Sequence, residues 1–207
     1  MAAIDVVDAP AMAVWLTEFD RDHPVELLIA NAGTSAGPEP DAPSEGVESA
    51  TRQVRVNLLG AVNTVEPLLP ALCRRGHGRV AVVASIAAYR GLPNSPAYCA
   101  SKAGLRAYAE ALRPRLAPRG VGVTIVCPGF FDSPMTDRFD GPTPFLVGTD
   151  NAARVVKRGL DRGRRRVAFP WPLVLGLQFC DIAPAFIGDA ILRRYSFRIR
   201  PPGLHDR

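Results

Sequence analysis

Apolar residues gather in three short unbroken runs, VELLIA (25–30), RVAVVAS (79–85) and GVTIVC (122–127), with longer stretches between them. Each run is rich in branched side chains and too continuous to leave one face in water, which predicts strands covered on both faces. The stretches between, roughly 9–21, 44–75 and 96–117, carry helical patterning. RRVAF (165–169) predicts a further strand, following a helix capped by Thr149 or Asp150. Pro114 falls inside the third helical stretch, where it removes a backbone donor and is expected to kink or end the helix near Arg113. Strand and helix alternate, so the expected architecture is α/β: a parallel sheet with right-handed crossovers and helices on both sides.

A chain of 207 residues, 47% of them hydrophobic, suffices for one domain with a substantial core and is short for two. No composition shift marks a linker, so residues 1–207 read as a single domain, with 170–207 as an apolar C-terminal extension. The net charge of +5 comes almost wholly from arginines spread along the chain, Lys102 and Lys157 being its two lysines. That spread excludes the clustered face of a nucleic-acid binder. RGRRR (162–166) reads as a solvated turn before a strand. Cys73, Cys99, Cys127 and Cys180 lie far apart, with no histidine at metal spacing, so neither a metal site nor a disulfide framework is expected. Reduced thiols and an N-terminus without a basic apolar leader point to the cytoplasm.

The most apolar run, VAFPWPLVLGLQFCDIAPAFIGDAIL (167–192), is interrupted by Gln178, Asp181, Asp189 and three prolines, leaving no uncharged span of 18 residues. It reads as a buried or subunit-contact segment, with a membrane-surface helix bearing Trp171 as the alternative.

In parallel α/β sheets, ligands collect beyond the carboxyl ends of the strands. The exits here are Asn31-Ala32-Gly33, Ser85 and Pro128-Gly129, all small or polar. SPAYCASKAG (95–104) then places Tyr98 and Lys102 four apart, on one face of a helix. Bringing a phenol from its ordinary pKa near 10 toward 7 requires about 4 kcal/mol. One cation at about 4 Å in an effective dielectric near 20 supplies roughly that much. The pair is therefore capable of proton exchange with a bound oxygen near neutral pH. A lone Tyr-x-x-x-Lys spacing carries little; its weight here comes from the strand-exit serine 13 residues earlier and the Asn-Ala-Gly turn.

In order and spacing, NAG (31–33), VNLLG with Asn57, VVASIAAYRG with Ser85, YCASK with Tyr98 and Lys102, and VCPGFFDSPM from Cys127 resemble the short-chain dehydrogenase/reductase family, over about residues 4–170. The resemblance implies a Rossmann-like doubly wound sheet and an oxidoreductase interconverting an alcohol and a ketone or aldehyde with NAD or NADP. It implies Tyr98 as the acid/base, Ser85 holding the substrate oxygen, and Lys102 binding the nicotinamide ribose and lowering the tyrosine pKa. Asn57 would hold a water relaying protons to the lysine. Asn31, Ala32 and Gly33 would line the adenine-ribose side, Pro128, Gly129, Phe131 and Ser133 would pass the carboxamide, and Asp5-Val6 resembles the acidic pair that touches adenine. Ser133 stands where the family more often has threonine. The segment Phe130 to Val147 corresponds to the family's mobile lid, and its apolar content suggests a hydrophobic small-molecule substrate. A homo-oligomer is also implied.

The family normally opens with a T-G-x-x-x-G-x-G turn between a first strand and a helix, and no segment here matches it. GTSAG (33–37) belongs to the Asn31 turn, and GHG (76–78) precedes its strand. The expectation is an N-terminally shortened domain lacking the first two strands, with residues 3–7 as the third and a gap near 14 Å before residues 25–30, from about 4.8 Å per strand spacing. NAD and NADP are left undistinguished, because the second strand normally sets that preference. A non-catalytic remnant acting as a binding or scaffold protein is the alternative.

Overall fold

The computed structural model describes residues 3–39, 42–194 and 197–200. A four-stranded parallel sheet runs β1 (Leu27–Ala30), β2 (Gly78–Val83), β3 (Val121–Pro128) and β5 (Arg166–Phe169), in that spatial order. Leu28 pairs with Val80, Val80 with Val123, and Val126 with Val167. The expected strands sit within two residues of their sequence positions, and the α/β class with a parallel sheet flanked by helices is the observed one.

Helix α1 (Ala9–Asp22) starts at Asp8, whose carboxylate accepts from Ala11 N at 3.0 Å. Residues 47–75 form one helical stretch: α2 (Val47–Val54), a π-helical turn (Arg55–Leu59), α3 (Gly60–Val65), a 3-10 turn (Glu66–Leu68) and α4 (Leu69–Arg75). By length and composition this stretch could cross a membrane. Its Val65, Leu68 and Leu72, however, have no exposed surface and pack with Val80, Val82 and Ile125 of the sheet and Leu105 and Ala109 of α5 (Pro96–Leu116). Each such side chain contributes about 1.5–3 kcal/mol by leaving water. The helical stretch ends at Gly76, whose φ of 72° is the left-handed conformation that glycine adopts without penalty.

Helix α7 (Thr149–Asp161) covers the other face at its far end, where Ala152 packs with Val167 and Phe169. The contact is close: a Cβ on Gly159 would lie 2.2 Å from Val167 Cγ2. Two antiparallel residues each of β4 (Phe139–Asp140) and β6 (Arg198–Ile199) pair after the short α6 (Pro134–Asp137). Helices α8 (Trp171–Ile182) and α9 (Ala185–Arg193) follow β5. Of the C-terminal extension, residues 195–196 and 201–207 lie outside the described residues.

Four expectations are corrected. Residues 3–7 form no strand: Asp5 turns the chain by accepting from Val7 N at 3.0 Å, and Asn63 of α3 donates to Val6 O at 2.9 Å. Val7 N, Asp5 O and Val6 O thus find partners within the turn and on a helix rather than on a neighbouring strand. Strand β1 is covered on one face only, with Leu28 and Ala30 buried while Leu27 and Ile29 are 45% and 47% exposed, because α7 shields the far end of the sheet. Helix α5 runs through Pro114 to Leu116, since the ring sits on the exposed side while Leu112 and Leu116 are buried and hold the last turn. The cap of α7 is Gly148, without a side-chain bond, and Thr149 Oγ1 instead donates to Asp132 O at 2.6 Å.

Candidate active site

Proline at the first position of α5 fixes the backbone where no helical amide bond is lost. Ser95 stands at the N-cap, yet its side chain caps nothing. Glu45 Oε2 takes that place, accepting from Ala97 N at 3.2 Å. Burial raises the Glu45 carboxyl, against bonds from Ala97 and Gln53. The first turn of α5, so fixed, carries Tyr98, and the second carries Lys102.

Ser85 leaves β2 in an extended conformation and accepts from Ala87 N at 3.1 Å. It lines the same cavity as Tyr98. Lys102 reaches back under the Tyr98 ring, with Nζ 5.9 Å from the ring centre and donating to Val83 O at 2.9 Å. The strand-exit serine, phenol and ammonium therefore converge as expected. Their electrostatics differ from expectation. Burial pushes the Tyr98 phenol up, and the Ser85 hydroxyl pulls it only partly back. Burial also lowers Lys102 to about 8. Desolvation is the largest cause of both shifts, so Tyr98 is a protonated phenol at neutral pH.

Asn57 is fully buried in the π-helical turn, a deviation frequent at functional sites. Its Oδ1 accepts from Thr34 N at 2.7 Å, and Nδ2 donates to Thr34 O at 2.9 Å and Ser101 Oγ at 3.0 Å. Both amide protons are thereby used, leaving one lone pair on Oδ1 for a further partner. The asparagine ties the strand-exit loop to α5. Gly33 packs closely there: a Cβ would sit 3.3 Å from both Asn57 Oδ1 and Lys102 Nζ, so either side chain would have to give by a few tenths of an ångström.

All these exits border one cavity of about 1290 Å³. Of the sequence-derived residues, Asn31, Ala32, Gly33, Ser85, Tyr98, Lys102, Pro128, Gly129, Phe131 and Ser133 line it. Asn57 stands behind the lining, and Asp5 and Val6 lie elsewhere, the former exposed and the latter against Gly60 of α3. Ser133 caps α6, accepting from Thr136 N at 3.2 Å.

Sequence reasoning missed the opposite wall, which α8 and α9 supply through Leu173, Leu177, Cys180 and Ile187 among others. The signal was present in the length of the apolar run, but its position over the strand exits follows from the turn after β5. Phe139 completes the wall, packing edge-on to Phe130 and stacked on Phe197 at 4.6 Å.

The residues fit the nicotinamide-ribose end of a dinucleotide. The buried ammonium of Lys102 has three protons and one acceptor in Val83 O, so it can donate to ligand hydroxyls. For a pyrophosphate the described residues offer less: the lining glycines, Gly33, Gly129 and Gly176, are isolated ones.

Residues 2–142 match the family model of the short chain dehydrogenases. An uncharacterized oxidoreductase of Myxococcus xanthus (strain DK1622) is 34% identical over 192 residues, 92% of this chain and 75% of that protein. A 2-dehydro-3-deoxy-L-rhamnonate dehydrogenase (NAD(+)) of Sphingomonas sp. (strain SKA58) is 33% identical over 141 residues, 67% of this chain and 55% of that one. Among solved structures, a short chain dehydrogenase from Burkholderia cenocepacia J2315 in complex with NADP superposes with a TM-score of 0.78 at 27% identity, covering 92% of this chain and 77% of its own.

Proposed function

The chain belongs to the short-chain dehydrogenase family of oxidoreductases, which use NAD or NADP, and on that premise we propose that it interconverts an alcohol and a ketone or aldehyde with Tyr98 as acid/base. The carrying observation is the convergence of Ser85, Tyr98 and Lys102 at the mouth of three strands in one cavity. The bound nicotinamide supplies or accepts the hydride at the substrate carbon. Everything else falls to side chains of this chain.

In the reducing direction the protonated Tyr98 gives its proton to the substrate oxygen, and Ser85 holds that oxygen through its hydroxyl. The charge of Lys102 opposes the cost of the phenolate left behind, and its remaining protons bind the cofactor ribose. Asn57 fixes the loop carrying Asn31, Ala32 and Gly33, which lines the other end of the cofactor space. Pro128, Gly129, Phe131 and Ser133 pass the carboxamide. The apolar wall from α8 and α9 favours a hydrophobic substrate. Asp5 and Val6 have no part in this reading, because they sit away from the cavity.

Oxidation of NADH or NADPH by a panel of ketones, followed by absorbance, tests the reading. Turnover of apolar ketones supports it, and failure across the panel by protein that binds the cofactor removes it. A second reading, a binding protein without turnover, draws on the isolated glycines at the cavity. Stable soluble protein that fails to quench or enhance NADH fluorescence would favour that reading.

A further inference from the structure

Helix α8 is apolar on two opposite faces. Leu173, Gly176, Leu177 and Cys180 line the cavity. Trp171, Leu175, Phe179 and Ile182 recur at steps of four, four and three, which one stripe of an α-helix requires, and are 71%, 55%, 53% and 82% exposed. Past the turn at Pro184, Phe186 of α9 is 75% exposed and borders the cavity. Five large apolar side chains on one short helical hairpin form a contact surface rather than scattered exposure.

Charge indicates what covers it. Described residues 190–194 and 197–200 include Arg193, Arg194, Arg198 and Arg200 and no carboxylate. Arg193 falls seven positions beyond Phe186 and so on its helix face. Of the nearby acids, Asp189 is paired with Arg90 at 2.8 Å, and Asp181 lies about 100° round the helix from Ile182. A two-fold contact with a second copy would turn the same patch, with Arg193 on its face, on itself. Anionic headgroups would instead complement it, and the whole chain carries +5.

We propose that the α8–α9 hairpin docks on an anionic bilayer surface, with the apolar stripe in the headgroup–acyl boundary and the cavity border at Phe186 facing the lipid. This surface lies beyond residues 2–142, which the family model matches. It rests on exposure and charge and is independent of the catalytic reading, so vesicle binding without cofactor tests it separately.

The purified chain is sedimented with vesicles of phosphatidylcholine alone and of phosphatidylcholine mixed with phosphatidylglycerol. The expected result is binding more than about tenfold stronger to the anionic vesicles, weakened by salt. Ile182→Asp with Phe186→Asp should lose that binding while keeping the native circular dichroism. Should this variant not fold, Trp15→Phe protein carries the test: quenching of Trp171 by brominated acyl chains supports docking, and unquenched emission overturns it. Absence of sedimentation with either vesicle also overturns it. So does a concentration-dependent dimer that the double substitution abolishes without any vesicle binding, which would give the face to a second copy.

Discussion

The ammonium of Lys102 sits 5.9 Å from the ring centre of Tyr98, and burial shifts the pKa of both groups in the direction that favours their neutral forms. The lysine lies one turn beyond the phenol, yet its head returns to Val83 O at the end of β2. It is poised to bind a ligand at a cost in stability.

That cost has a pH signature. Lys102 titrates at about 8 in the folded protein and near 10.5 when unfolded, so between these values the unfolded chain holds more protons and stability rises with pH. Below pH 8 the penalty is fully present, about 3 kcal/mol. The bond to Val83 O returns about 1 kcal/mol. Lys102→Met should therefore raise unfolding free energy by about 1–3 kcal/mol at pH 7, a gain that disappears toward pH 10.5. Urea denaturation of both proteins at pH 7 and pH 10 checks it.

Asn57→Ala removes three hydrogen bonds and leaves the amide and carbonyl of Thr34 unpaired. The expected loss is about 2–4 kcal/mol of stability. Because the loop positions Gly33 against Lys102, the Michaelis constant for the cofactor should rise about tenfold while the pH profile keeps its shape. Steady-state kinetics with varied cofactor separates the two effects.

Asp20 is buried and accepts from Arg75 twice, at 2.7 and 2.9 Å, and from Val25 N at 2.8 Å. The Arg75 bonds hold its carboxyl below the usual range. Its stabilisation is present above the ordinary carboxylate pKa near 3.8 and is lost as pH falls through the lowered folded value. Asp20→Ala should cost about 1–3 kcal/mol at pH 7, by removing the charge-assisted bonds from Arg75 and the bond from Val25 N, and the gap to wild type should narrow in acid. Chemical denaturation at pH 7 and pH 3 measures both.

Gly176 lines the cavity, and a Cβ there meets nothing within 4 Å. Gly176→Leu should add about 0.8 kcal/mol from helix propensity while filling cavity space. Specificity should then shift from bulky toward small ketones, read as a change in the ratio of kcat/KM values.

The positions of the strands were legible because each apolar run is short and continuous, though the run of β1 did not reveal that one of its faces is exposed. Ser85, Tyr98 and Lys102 were legible because element exits fix them relative to one another. What escaped depends on partners remote in sequence. Glu45 caps a helix 52 residues away, which no local signature around Ser95 announces. The turn at Asp5 is expected as a strand only from the order of elements in the family it resembles, and Asn63, remote in sequence, takes the carbonyl of Val6. Pro114 breaks a local rule that buried Leu116 overrides. The downward shift expected for Tyr98 followed from the charge beside it; the upward shift reflects burial, which spacing does not reveal.

The central claim is that the Tyr98 phenol exchanges the proton in carbonyl reduction, and the most direct measurement is kcat for Tyr98→Phe on a ketone that wild type turns over. A fall of about 10²–10⁴-fold with cofactor affinity unchanged is predicted. Wild-type turnover by the phenylalanine variant would contradict it.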